Sequence, residues 1–174
     1  MSLFEMSSRL IKSEFKLTDL QNDPQEVLDY LRTLELQVAL DGPQSLGFCQ
    51  RAVLIAFRTQ GSVEMGSLRS FYEAQGDPLE AVAAFVELGL YEAASAMEMS
   101  MEAFPPGLLQ SDHREILDWM DENAYALEEQ WYPLGLVIMH LTSADPDDST
   151  YSTELLAAVR RYFSDNRKEF GFKR

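Results

Sequence analysis

Twice in this chain an aspartate is followed at once by proline and, two residues later, by glutamate: Asp23-Pro24-Gln25-Glu26 and Asp77-Pro78-Leu79-Glu80. An aspartate carboxylate can accept the unpaired N–H groups of a first helical turn. A proline there gives up a donor that would have no partner anyway, and an acid three residues in favours the positive end of the helix dipole. Each segment therefore fixes where a helix begins. The residues that follow the two segments do not match, so they do not mark an internal repeat.

The first start leads into Val27, Leu28, Leu31, Leu34, Leu36 and Val38, and the helix is expected to stop at Asp41-Gly42-Pro43. A second apolar helix is expected over residues 44–58, ending before Gly61, with Gly61-Ser62-Val63 as a loop. A shorter helix should follow over 64–75 and end at Gly76. The second Asp-Pro start should run to Gly89, a natural residue just past a helix end. The next helix begins near Tyr91 and is closed by Pro105-Pro106. Asp112 and Glu115 suggest a further start, with the helix continuing to about Trp131 until Pro133 breaks or kinks it. An apolar piece, Leu134 to Leu141, then leads to the acidic turn Asp145–Ser149, and a last helix over 153–163 precedes a basic tail. Nowhere do four or more residues alternate cleanly between turn residues, so no strand is expected. The reading is all-α: one single-domain bundle of roughly seven to nine helices over residues 1–174, with 1–20 and 164–174 as peripheral arms.

Hydrophobic residues make up 46% of the 174 positions, enough to build a core without staples. The charge is less ordinary. Twenty-nine acids face fourteen bases, a formal net charge of −15, whereas a small domain stays soluble at a net charge of about 2–8. The surplus costs self-repulsion. It should repel nucleic acid and anionic membranes and attract basic protein surfaces. Cys49, the one cysteine, sits among Phe48, Val53 and Leu54 and reads as a buried core thiol, which fits a reducing cytoplasm. Glu5, Arg9, Lys12 and Glu14 interrupt any apolar signal region, and the Pro133–Met139 run is too short to span a bilayer.

The acids are unevenly spread. Residues 112–148 hold Asp112, Glu115, Asp118, Asp121, Glu122, Glu128, Glu129, Asp145, Asp147 and Asp148 against one base, Arg114. The tail reverses the sign, with Arg160, Arg161, Arg167, Lys168, Lys173 and Arg174 against Asp165 and Glu169. On a wheel drawn for 115–131 as one helix, Glu115, Asp118, Glu122 and Glu129 share a stripe. Ile116, Leu117, Met120, Ala124, Leu127 and Trp131 lie opposite. A solvated face is the plain account of such a stripe. The functional account is a row of carboxylates imitating phosphates. Duplex DNA carries about one charge per 1.7 Å, so a single helix cannot supply the density. Several acidic elements would have to combine, with the Asp145–Asp148 turn and Asp19, Asp23, Glu26 and Asp29 as candidates.

The run Gly66-Ser67-Leu68-Arg69-Ser70-Phe71-Tyr72-Glu73-Ala74-Gln75-Gly76 resembles the end of a Gly-Gly…Phe-Phe…Gly signature. It marks the DMP19-like family of small bacterial DNA-mimic proteins. The stretch from Ala81 to Phe104 looks like that family's next two helices, as does Leu117-Asp118 with Tyr125-Ala126-Leu127-Glu128-Glu129. The likeness covers about 65 to 80 residues, mostly glycine and apolar positions, which speak for fold more than activity. Glu64-Met65-Gly66 stands where the family usually has Asn-Gly-Gly, and Arg69 and Glu73 stand where it has Gln and Asn. The resemblance implies an acidic protein that occupies the DNA-binding surface of a transcriptional repressor. It leaves Gly66, Phe71, Tyr72 and Gly76 as residues of a tight helix–loop packing.

Catalytic patterns are scarce. The sequence has no glycine-rich phosphate loop, His-Glu-x-x-His or Cys-x-x-Cys. His113 and His140 are far apart and have no partner pattern. The Asp145–Thr150 stretch fails the calcium-loop pattern, with Thr150 at position six and Leu156 at position twelve. Met97, Met99 and Met101 alternate on one helix and read as core filling with a partly exposed member. The expectation is a protein that is not an enzyme and needs no metal or cofactor, working as a monomer or homodimer. Its partner would be a basic DNA-binding protein, docked on Glu115, Asp118, Asp121, Glu122, Glu128, Glu129, Asp145, Asp147 and Asp148. Two readings compete with it. One is an immunity-type inhibitor of a basic toxin or nuclease. The other is a metal-dependent helical enzyme, which would need Glu-x-x-His pairs that the sequence lacks.

Overall fold

A computed structural model describes residues 15–139, 154–170 and 172. Among them the chain forms eight α-helices and no strand: α1 (Leu17–Asn22), α2 (Pro24–Asp41), α3 (Phe48–Glu73), α4 (Pro78–Glu87), α5 (Tyr91–Met101), α6 (His113–Glu122), α7 (Ala124–Met139) and α8 (Glu154–Asp165). The two Asp-Pro starts behave as their chemistry requires. Asp23 accepts from the Gln25 N–H at 2.8 Å, and Asp77 accepts from Leu79 and Glu80 at 2.9 and 3.2 Å. The end of α4 is a Schellman turn. Gly89 takes φ +75°, its N–H reaches the Val86 carbonyl at 3.0 Å, and the Leu90 N–H reaches that of Phe85 at 2.8 Å.

α3 is the hub, packed against α4 and α7, and α5 closes over both of those helices. One continuous core results, from Leu20, Val27 and Leu34 through Val53, Val63 and Leu68 to Phe85, Met97, Met120, Ile138 and Phe163. Two aromatic groups sit within it. Tyr72 stacks on Trp131 with centroids 5.2 Å apart, and Phe104 leans on both rings. Tyr30, Phe163 and Phe170 meet edge to face in the other group. Cys49 is buried, 3.2 Å from the Tyr162 hydroxyl, which also donates to Glu87 at 2.9 Å. Met97 is buried and Met99 is exposed.

Several boundaries differ from the sequence reading. Residues 43–45 form a short 3₁₀ turn, and the next helix starts at Phe48 instead of near Gln44. Gly61-Ser62-Val63 is helix, not loop. Val63 is fully buried, and its packing holds the backbone helical through a glycine that alone costs about 1 kcal/mol. The true break in α3 falls at Gly66–Ser67, where Gly66 is extended (φ −172°) and Ser67 turns left-handed (φ 74°, ψ −179°). Pro133 lies inside α7 without ending it. Its missing N–H would have paired with the carbonyl of Glu129, a residue on the exposed side where water can replace the bond. Of the segments expected as peripheral arms, residues 1–14, 171, 173 and 174 lie outside the described residues, and the described ends are packed. Leu20 is fully buried, Phe170 is 7% exposed and stacks on Phe172, and Gln21 bonds Ser164 at 2.7 Å.

Candidate acidic interface

α6 begins as its sequence dictates. The Asp112 carboxylate accepts the Arg114 N–H at 2.8 Å, with Glu115 in the first turn. It ends ten residues on, at Asn123. Both the backbone N–H and the side-chain amide of Asn123 reach the Trp119 carbonyl, at 3.1 and 2.8 Å, and close the helix end. The single helix assumed for 115–131 is therefore two helices, and the stripe drawn from it is cut. Glu115, Asp118 and Glu122 remain on one face of α6, while Glu129 belongs to α7. On the inner side, Met120, Leu127 and Trp131 are buried as that wheel anticipated, whereas Ala124 is exposed.

All six described candidate acids, Glu115, Asp118, Asp121, Glu122, Glu128 and Glu129, are exposed. Two of them have arginine neighbours. Arg114 comes within 4.0 Å of Asp118, one turn away. Arg69 reaches across from α3 to pair with Asp121, while Glu73 holds the same guanidinium at 2.6 Å. Asp121 first, and Glu73 second, raise the Arg69 pKa above its ordinary value. Glu115, Glu122, Glu128 and Glu129 have no basic side chain within 4.0 Å among the described residues. Asp145, Asp147 and Asp148 lie outside the described residues, as does His140. His113 is the first residue of α6, half-buried.

The acids are not alone on α7. Tyr125, Glu128, Glu129 and Tyr132 stand at i, i+3, i+4 and i+7, so they share one outward face. Tyr125 is 83% exposed and Tyr132 65%. Two solvated phenol rings thus flank two carboxylates that have no cationic neighbour among the described residues. The sequence reading missed the tyrosines; their spacing from the two glutamates puts all four on one face but does not tell whether that face is buried or exposed. Met65, 90% exposed, precedes the break in α3. The four motif residues have separate tasks. Phe71 and Tyr72 are core, Gly66 begins the break, and Gly76 is held under the Phe71 ring.

Among the described residues no three His, Cys, Asp or Glu side chains gather as a metal site would require. No helix among them is long and apolar enough to cross a membrane. The comparisons return no matching family model, no similar curated protein and no similar solved structure.

Proposed function

We propose that this protein binds a basic DNA-binding protein, such as a transcriptional repressor, and presents carboxylates where that partner would meet phosphates. The observation that carries the reading is the outward face of α7, with Glu128 and Glu129 between exposed Tyr125 and Tyr132, next in sequence to the acidic face of α6. A solvated helix face explains exposed acids, but it gives no reason to hold two tyrosine rings in water beside them. Aromatic residues are enriched where proteins meet, and their faces attract cations. Like charges without counter-ions also cost self-repulsion in the free protein, a cost that a cationic partner would remove.

The test begins with capture of a partner from cell extract and its identification by mass spectrometry. The identified protein is then purified and its affinity measured directly. The reading expects a basic DNA-binding protein whose binding falls steeply between about 50 and 200 mM salt and is competed by duplex DNA. Changing Glu115, Glu122, Glu128 and Glu129 together to glutamine should lower affinity at least tenfold with helicity unchanged. Affinity indifferent to salt, to DNA and to the four substitutions overturns the proposal.

A further inference from the structure

Beside the break in α3 a cleft of about 270 Å³ lies between α3 and α7, lined by Ser67, Arg69, Leu127, Glu128, Trp131 and Tyr132. Its floor is apolar and fixed. Leu127 and Trp131 are 4% and 2% exposed. The Trp131 indole N–H donates to the Ser100 carbonyl at 3.2 Å, and its ring is stacked on Tyr72. The rim is polar by comparison, with exposed Glu128 and Tyr132 one turn apart. The one cation in the wall, Arg69, is held by Glu73 and Asp121. Glu128, the carboxylate in the lining, has no basic side chain within 4.0 Å among the described residues.

We infer that this cleft receives an arginine side chain of the basic partner. The guanidinium lies against the Tyr132 ring and pairs with Glu128, and the methylene stem runs over the apolar floor. The inference rests on the docking reading above and assigns its anchor. Arginine fits better than lysine because the planar guanidinium stacks on an aromatic face, bonds a carboxylate with two parallel N–H groups and sheds its water more readily than an ammonium. A flat acidic face already favours arginine through the paired N–H groups, and the aromatic side of the cleft adds stacking to that preference.

Hexa-arginine and hexa-lysine, equal in charge, serve as probes, titrated calorimetrically at low salt into the full chain. The wild type should bind hexa-arginine about two- to fivefold more tightly, the scale of one cation–aromatic contact. Tyr132→Ala should shrink the preference, and Tyr132→Phe should keep it. Glu115→Gln with Glu122→Gln should weaken both peptides equally and leave their ratio alone. Equal binding of both peptides by the wild type, or a preference undiminished by Tyr132→Ala, overturns the arginine cleft and leaves the acidic interface standing. Failure of both peptides to bind overturns the interface as well.

Discussion

The ring of Phe71 lies directly against the backbone of Gly76, so that a methyl group on Gly76 would stand 2.3 Å from the Phe71 Cε2 atom. The contact follows from the way α3 ends. Gln75 takes the left-handed position (φ 60°), and the Gly76 N–H returns to the Phe71 carbonyl at 3.0 Å, which draws the chain under the ring. Gly76 is therefore needed for closeness, not for its backbone angles.

Phe71 is 4% exposed and has no room to retreat. Gly76→Ala should destabilise the fold by about 1–3 kcal/mol, the usual cost of overpacking. A methyl at Gly66 meets the Ser70 side chain alone, its hydroxyl, which can rotate away, and its Cβ at 3.2 Å, so Gly66→Ala should cost less. Urea denaturation of the two variants gives the comparison, and equal losses would refute the Phe71 account.

Gly61 sits inside α3 with nothing within 4 Å of where a Cβ would be. Gly61→Ala should raise stability by about 0.5–1 kcal/mol, because alanine loses less backbone entropy on entering a helix. A higher denaturation midpoint with an unchanged slope is the expected result. A loss of stability would mean that this stretch is not helical.

Ser67 occupies a backbone region that only glycine adopts freely (φ 74°, ψ −179°), and its Oγ caps the Arg69 N–H at 3.3 Å. Holding such a conformation costs about 1–3 kcal/mol. Ser67→Gly relieves it and should leave stability at or above wild type. Ser67→Ala keeps the strain and loses the cap, for a loss of about 0.5–2 kcal/mol. Thermal unfolding should rank glycine, serine, alanine from most to least stable, and the reverse order would dismiss the strain.

Burial pushes the Tyr72 hydroxyl up to about 12, although its bond to Ser100 at 2.7 Å opposes the shift. Burial raises Tyr30 to about 12 as well. In the unfolded chain both lose their protons near the ordinary value of 10. Between those limits the folded chain holds more protons, so stability should be flat below pH 10 and fall as pH rises to 12, by about 1.4 kcal/mol per pH unit for each group. Tyr72→Phe should cost about 1–2 kcal/mol at neutral pH through the lost buried bond, yet show a shallower alkaline decline. Denaturant midpoints from pH 8 to 12 would reveal it, and an identical slope would contradict the assignment.

What the sequence made legible was local. Asp23, Asp77 and Asp112 cap helices because the acceptor and its donors lie within three residues of one another, and Gly89 ends α4 for the same reason. What it hid was tertiary. Gly61 looked like a stop because the burial of Val63, which overrides it, depends on distant elements. Asn123 divided an apparently continuous amphipathic helix, although asparagine after a run of acids is itself a terminator signal. The pairing of Arg69 with Asp121 crosses from α3 to α6 and leaves no trace in spacing. The exposure of Tyr125 and Tyr132 could not be told from core aromatics until the inner side of α7 was seen to be filled by Leu127, Trp131 and Ile138.

Leu20 is buried where α1 meets α8, and the Arg160 guanidinium donates to the Leu20 carbonyl at 3.2 Å. A ribosome delivers α1 long before it delivers α8. The first helix must therefore wait until the last one emerges, so this clasp can shut only after nearly all the residues described here have been synthesised.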